Sequence, residues 1–116
     1  MKENKLLNIA NDIAIDIIKV SNILKSKKEH SFADQIKRSG TSISANIAEA
    51  NYPQSKLDMI SKFEIALKEA NETENWLNIF LKSQILELAD IELLRKKIIK
   101  TKILLIASIK TLKKQI

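Results

Sequence analysis

Apolar residues recur every three or four positions along four stretches of the chain, the spacing that places side chains on one face of an α-helix. The four stretches cover residues 5–25, 32–51, 56–83 and 90–115. In the first, the apolar stripe consists of Leu6, Ile9, Ile13, Ile17, Val20 and Leu24. In the last, the stripe continues as far as Ile116. The pattern predicts four amphipathic helices, each of which buries one face.

The segments between these helices are short, and two of them carry recognisable boundary signals. Pro53 disfavours a helical backbone at Tyr52. Ser55, with Asp58 three residues later, forms a capping-box pattern that starts the third helix, and Ser31 has the residue type of an N-cap for the second. Short connections favour antiparallel neighbours, so the sequence predicts an all-α, up-down-up-down four-helix bundle. Open coiled coils that pair between chains are the alternative, because the spacing is also heptad-like.

Composition agrees with this fold class. One Gly and one Pro in 116 residues leave few points at which regular structure breaks, and this favours long helices over a β-sandwich with many turns. Hydrophobic residues make up 45% of the chain, which is ordinary for a globular protein. The length suits one domain, and we expect a single domain over residues 1–116.

Residue types that carry catalysis are scarce. The chain has no cysteine, which excludes disulfides and thiolate metal ligands. Its one histidine, His30, falls in a predicted connection, whereas a carboxylate-bridged metal pair needs Glu-x-x-His motifs on two helices. Gly40 is the single glycine, so a glycine-rich phosphate loop is absent. The sequence therefore predicts no enzyme activity, no metal and no cofactor.

Neither a signal peptide nor a membrane span is expected. Asn8, Asn11, Asp12 and Asp16 interrupt the N-terminal apolar stretch, and a signal peptide needs a continuous one. The longest apolar run, residues 103–107, is far below the roughly 20 residues that cross a bilayer. We expect a cytoplasmic protein with no membrane partner, and the absence of cysteine is consistent with a reducing compartment.

The net charge of +6 lies entirely in the last segment. Residues 90–116 hold eight basic and two acidic residues, and the rest of the chain holds twelve of each. The candidate phosphate-binding residues are Arg95, Lys96, Lys100, Lys102, Lys110 and Lys113. Lysines that neutralise phosphates bind nucleic acid without reading its sequence, and no aromatic residue is present there to stack on bases. A simple solvated helix face is the alternative.

A second apolar stripe lies within this basic arc. It consists of Ile99, Ile103 and Ile106, and the first helix has a similar stripe at Leu7, Ala14 and Ile18. Contiguous exposed apolar residues mark interfaces, so Leu7, Ile18 and the three isoleucines are predicted to mediate self-association. The alternative is that each wide stripe packs on two neighbours inside one bundle.

Polar residues also occur on core-facing arcs. Ser39, Ser42, Asn46 and Glu49 recur along the second helix, and Glu74, with Thr73 beside it, lies on the stripe of the third. Buried polar groups need partners, so we expect hydrogen bonds between these helices that fix their register, with a binding pocket as the alternative. Trp76 is expected to anchor packing, and Tyr52 to pack over its loop.

Two motifs resemble a known family. Residues 41–50, TSISANIAEA, resemble the Ser-Ile-x-x-Asn-Ile-Ala-Glu-Gly signature of the bacterial four-helix-bundle proteins encoded in intervening sequences of 23S rRNA genes. Residues 65–77, IALKEANETENWL, resemble a pattern of one branch of that family. Ala50 replaces the usual glycine, and Pro53 and Gln54 stand where many members carry an arginine. The signature positions carried over are Ser42, Asn46, Glu49, Ser55, Glu72 and Glu74. We interpret most of them as structural.

The resemblance implies an antiparallel four-helix bundle that often assembles as a homopentamer. A similar bundle is the accessory protein of diversity-generating retroelement reverse transcriptases, where a basic surface is implicated in binding nucleic acid and polymerase. The first hypothesis is therefore a homo-oligomer that binds RNA or DNA through its last helix. The second is a protein–protein scaffold with no nucleic-acid role, which presents Tyr52, Trp76 and an acid cluster at Glu69, Glu72 and Glu74.

Overall fold

The four helices of the computed structural model follow the predicted stripes closely. The structure describes residues 4–116, and residues 1–3 of the expected domain lie outside the described part. The helices are α1 (Lys5–Ser26), α2 (His30–Ala50), α3 (Lys56–Lys82) and α4 (Leu88–Lys113). Each packs on the next, and α1 also packs on α4. The prediction of an antiparallel four-helix bundle is confirmed, and the contact between α1 and α4 closes the bundle within one chain.

The core consists of the stripe residues of all four helices. Residues with no measurable exposure include Ile13 and Ile17 of α1, Ile43 of α2, Leu77 of α3 and Ile98 of α4. Such burial contributes about 1.5–3 kcal/mol for each large aliphatic side chain, which makes the core the main source of stability.

Two sequence-based expectations about helix ends are wrong. Ile116 is 67% exposed, because α4 ends at Lys113 and the apolar stripe does not continue beyond the helix. Ser31 lies inside α2, whose N-cap is Glu29. The helix therefore begins two residues before the predicted start at residue 32.

Side-chain caps explain where three helices begin. Asn4 accepts a hydrogen bond from the Leu7 N–H at 3.0 Å. Ser55 accepts one from the Asp58 N–H at 3.0 Å, as predicted, but the Asp58 carboxylate accepts from the Gln54 N–H and not from Ser55, so only half of the predicted capping box forms. The Asp90 carboxylate accepts a bond from the Glu87 N–H at 3.0 Å. These bonds satisfy N–H groups that helix starts would otherwise leave without partners.

The ends of α1 and α3 share one motif without a glycine. Lys28 and Gln84 both adopt φ = 64°, just beyond the two helices. The following residues close the motif, because the Glu29 N–H donates to the Leu24 carbonyl at 2.9 Å and the Ile85 N–H to the Phe80 carbonyl at 3.0 Å. This pattern is the Schellman C-cap, in which glycine normally occupies the left-handed position.

Replacing Gln84 with glycine is expected to stabilise the protein by about 1 kcal/mol, because a left-handed backbone penalises any residue with a Cβ atom. Urea unfolding followed by circular dichroism measures the change. Gln84→Ala is the matched control, since it removes the same side chain but keeps the Cβ atom. Equal stability of the glycine and alanine variants would contradict the explanation.

Thr101 is a fully buried polar residue of α4 whose hydroxyl has no hydrogen-bond partner within the described residues. An unsatisfied buried hydroxyl costs about 1–3 kcal/mol. Thr101→Val has a similar shape without that hydroxyl, so we expect it to stabilise the protein by about 1 kcal/mol, measured by thermal and urea unfolding. Thr73→Val is the control and should destabilise, because the buried Thr73 and Ser39 hydroxyl oxygens lie 2.9 Å apart and share a hydrogen bond.

Candidate nucleic-acid and self-association surface

Charge is distributed unevenly among the four helices. Seven cations and two carboxylates give α4 a net charge of +5. By the same count α1 has +1, α2 is neutral, and α3, with four lysines and five carboxylates, has −1. Because phosphate groups are attracted to a concentrated positive field, α4 is the helix on which a nucleic-acid site is best sought.

Two of the six predicted phosphate-binding residues are paired with α3. The Lys102 Nζ atom lies 2.8 Å from Glu74 Oε1, and the Lys113 Nζ atom lies 3.3 Å from Glu64 Oε2. These lysines lie on the side of α4 that faces α3, so they are tied to the bundle. Lys102, whose side chain is 24% exposed, is therefore less available to an external anion than the sequence alone suggested, whereas the Lys113 side chain is still 56% exposed.

Lys97, which was not among the predicted residues, faces the opposite side. It donates a hydrogen bond to Asp16 of α1 at 2.8 Å. This hydrogen bond raises the pKa of the Lys97 ammonium above its ordinary value. Of the seven cations of α4, two therefore pair with α3, one pairs with α1, and four pair with neither helix.

The other four cations of α4 are the exposed Lys96, Lys100 and Lys110, and Arg95. Lys100 and Lys110 have no carboxylate within 4 Å among the described residues, and Lys96 lies 3.8 Å from Glu92 with 70% of its side chain exposed. Exposed pairs of that kind contribute little. Arg95 is half-buried, and its Nε atom is enclosed without an acceptor in the described part of the chain. The three lysines are thus the cations best placed to meet phosphates.

Exposed isoleucines lie next to these lysines. Ile99, Ile103 and Ile106 expose 45%, 62% and 52% of their surface. The bundle of one chain therefore does not bury this stripe. On α1, Ile18 is 41% exposed, while Leu7 is partly buried. An exposed aliphatic stripe of this kind is typical of an interface with another protein surface.

An open groove of about 680 Å³ runs between α3 and α4 beside this stripe. Leu67, Ile106 and Ile109 form its apolar part. Lys68 and Lys110 line the same groove, together with the paired Lys113 and Glu64. The groove joins apolar surface to positive charge, a combination that suits a protein partner better than a bare phosphate chain.

The six signature residues make local or pairwise contacts instead of one network. The Ser42 hydroxyl donates to the Arg38 carbonyl at 2.6 Å, and the Asn46 amide donates to the Ser42 carbonyl at 2.8 Å. Glu49 pairs with Lys62 at 3.1 Å. Ser55 caps α3, Glu74 pairs with Lys102, and Glu72 pairs with Arg38.

The predicted hydrogen bonds between these α2 residues and Glu74 are therefore wrong. Thr73, one residue earlier, takes the core position and meets Ser39 of α2. Glu74 lies about 100° further around α3. It faces α4, where it accepts a hydrogen bond from Lys102 instead. The contact between Ser39 and Thr73 is the polar link that crosses the α2–α3 core.

Arg38 of α2 forms ion pairs with α3 that the sequence analysis did not predict. Its guanidinium contacts Glu69 at 3.4 Å and also Glu72, so one α2 cation holds two α3 carboxylates. A basic residue on one helix and two acids on the next are visible in the sequence. Only the register between the helices shows that they meet.

The two remaining candidate residues differ in their surroundings. Tyr52 is 89% exposed, so the expectation that it packs over the loop is wrong. Trp76 is half-buried and stacks on Phe80 with ring centroids 5.9 Å apart, while Phe32 lies 5.8 Å from Trp76. Trp76 thus anchors the α2–α3 packing at one end of the bundle.

Residues 4–116 contain no group of three His, Cys, Asp or Glu side chains placed to hold a metal ion. None of the four helices is long and apolar enough to cross a membrane.

These features define the class: an antiparallel four-helix bundle whose last helix is basic and carries an exposed aliphatic stripe. The family model of the 23S rRNA-intervening sequence protein matches residues 2–107, and the chain belongs to that family. This confirms the resemblance seen in the two motifs.

A solved structure supports the assignment. The protein is one of unknown function from the S23 ribosomal protein family of Bacteroides thetaiotaomicron VPI-5482. It is 39% identical to this chain with a TM-score of 0.87, and the match covers 90% of this chain and 98% of that one. No curated protein matches the chain.

Proposed function

We propose that this protein is a non-enzymatic homo-oligomer that binds nucleic acid without sequence preference through the outward face of α4. One observation carries the proposal: on the helix with a net charge of +5, the side chains of Lys96, Lys100 and Lys110 are exposed to solvent. Their neighbours Ile99 and Ile103 remain exposed in a single chain. Self-association would bury the isoleucines, and lysines would contact phosphates.

The nucleic-acid contact is expected to be electrostatic. Each lysine that neutralises a phosphate releases condensed counterions, so affinity falls steeply with salt. Base readout is not expected, since α4 has no aromatic, Asn or Gln side chain between Leu88 and Lys113. Both RNA and DNA are possible ligands under this electrostatic mechanism. The proposed location is the cytoplasm.

Fluorescence anisotropy with a labelled RNA hairpin, a DNA duplex and a single strand tests the proposal. Neutralising Lys96, Lys100 and Lys110 to glutamine should weaken binding to duplex DNA and reduce the log–log salt slope by about 2–3. The matched control neutralises three exposed lysines of α1 and α2, at Lys19, Lys25 and Lys37.

The control variant has the same net charge as the α4 variant, so only position distinguishes them. Binding that falls equally in both variants would show that overall charge, and not α4, is responsible. No binding by the wild-type protein at low salt would remove the nucleic-acid role. It would favour the second candidate, a protein scaffold, which the 89% exposure of Tyr52 supports because an uncovered aromatic ring suits a protein contact.

Self-association is measured separately by sedimentation velocity. The family resemblance implies a pentamer, for which we expect a particle of about 66 kDa, five times the 13.2 kDa of one chain. A 13.2 kDa species at all protein concentrations would contradict the homo-oligomer.

A further inference from the structure

Two strips of opposite charge lie on the outer sides of neighbouring helices. The first, the α4 strip, consists of Lys96, Ile99, Ile103, Ile106 and Lys110. The second, the α3 strip, consists of Ile65, Glu69, Glu72, Trp76 and Ile79. Both are spaced alternately by three and four residues, the pattern that lets two helices pack side chains into each other's gaps.

The α3 strip is available at the surface of one chain. Ile65 and Ile79 are 38% and 40% exposed, and Trp76 is half-buried. Its two carboxylates both contact the cation Arg38, so the strip taken together with Arg38 has a net charge of −1. It therefore combines partly exposed apolar side chains with negative charge.

The α4 strip has the complementary properties. Its three isoleucines are about half exposed, and a lysine stands at each end. Lys110 has no carboxylate within 4 Å in the described part of the chain, and Lys96 has only the 3.8 Å contact with Glu92. The surface of three isoleucines is far smaller than the roughly 800 Å² that each partner buries in a stable interface. A partner that covers these isoleucines must therefore also contact the lysines beside them.

We propose that the α4 strip of one copy packs on the α3 strip of a second copy. The inference rests on the self-association in the proposed function and names the surfaces that meet. If the two helices run parallel, setting Glu72 opposite Lys96 also sets Ile79 opposite Ile103. If they run antiparallel, setting Glu72 opposite Lys110 does the same. The carboxylate then compensates the lysine, and the two isoleucines cover each other.

This contact joins two different surfaces, so it is head-to-tail, and a pair of chains keeps one free strip of each kind for further neighbours. Lys100 is not part of the α4 strip. It remains on the outward side of α4, where the proposed phosphate contacts need it. In either register Glu72 compensates only one of Lys96 and Lys110, so Lys100 and the other lysine keep the phosphate-binding role in the assembled protein.

Two single variants test the pairing in the full chain. Ile103→Asp damages the α4 strip and Ile79→Asp damages the α3 strip, each at an exposed position that should leave the helical circular dichroism unchanged. We expect each variant alone to sediment as a single chain. An equal mixture should form a dimer of about twice 13.2 kDa, because each variant supplies the strip that the other lacks.

Leu93→Asp is the matched control, since Leu93 is 71% exposed on α4 but lies outside both strips. It should assemble as the wild type does. The pairing would be overturned if Ile79→Asp assembled as the wild type does, or if the mixture of the two variants stayed monomeric. Neither result would contradict self-association of the wild-type protein. A monomeric wild type would overturn both, and anisotropy would report independently on nucleic-acid binding.

Discussion

Replacing Phe80 with alanine is expected to lower the free energy of unfolding by about 3–5 kcal/mol. Phe80 is completely buried, and its ring centroid lies 5.5 Å from that of Phe32 and 5.9 Å from that of Trp76. Truncation removes one member of this aromatic cluster and leaves a cavity that the neighbouring rings cannot fill. Since small domains have total stabilities of about 5–15 kcal/mol, the loss is a large part of the whole.

Urea unfolding at one fixed protein concentration measures this effect, because self-association also contributes to apparent stability. Leu57→Ala serves as the control on the same helix. Leu57 is 65% exposed, so its truncation should change stability by no more than about 0.5 kcal/mol. Comparable losses in the two variants would contradict the assignment of Phe80 to a well-packed core.

Replacing Gly40 with alanine is the second large effect expected. A Cβ atom at Gly40 would lie 2.5 Å from Cγ1 and 2.7 Å from Cγ2 of Ile17, so α1 and α2 approach closely at this point. Overpacking costs about 1–3 kcal/mol, whereas alanine gains about 1 kcal/mol in helix propensity. Because Ile17 is β-branched and cannot swing away easily, we expect a net loss of about 1–2 kcal/mol.

A double-mutant cycle separates this clash from other causes. Ile17→Ala removes both clashing atoms, so Gly40→Ala should be neutral or stabilising when introduced into that background. The unfolding free energies of the four proteins give the coupling between the two positions. Purely additive effects would show that the alanine at position 40 acts through something other than contact with Ile17.

Helix periodicity was sufficient to predict the fold, because each stripe has enough apolar residues to fix which face is buried. Ser55 was also predictable, since a cap acts within three residues. The end of α4 was not. No glycine or proline follows Lys113, so the sequence contains no local signal that separates Ile116 from the stripe before it.

The candidate surface was predictable only in part, because its details depend on the register between helices. The stripe of Ile99, Ile103 and Ile106 could be recognised as facing away from the core from spacing alone. The pairing of Lys102 with Glu74 joins residues 28 positions apart, and no local pattern encodes it. Thr73 and Glu74 differ by about 100° around α3, so a modest helix rotation decides which of them enters the core.

The stacking of Trp76 on Phe80 has a practical consequence. Trp76 is the single tryptophan of the chain, so all of its indole fluorescence originates at one end of the α2–α3 contact. Local loosening of that end should shift the emission before the opposite end of the bundle responds. The same indole lies in the α3 strip, and it provides an intrinsic optical signal for following subunit docking in real time without a dye.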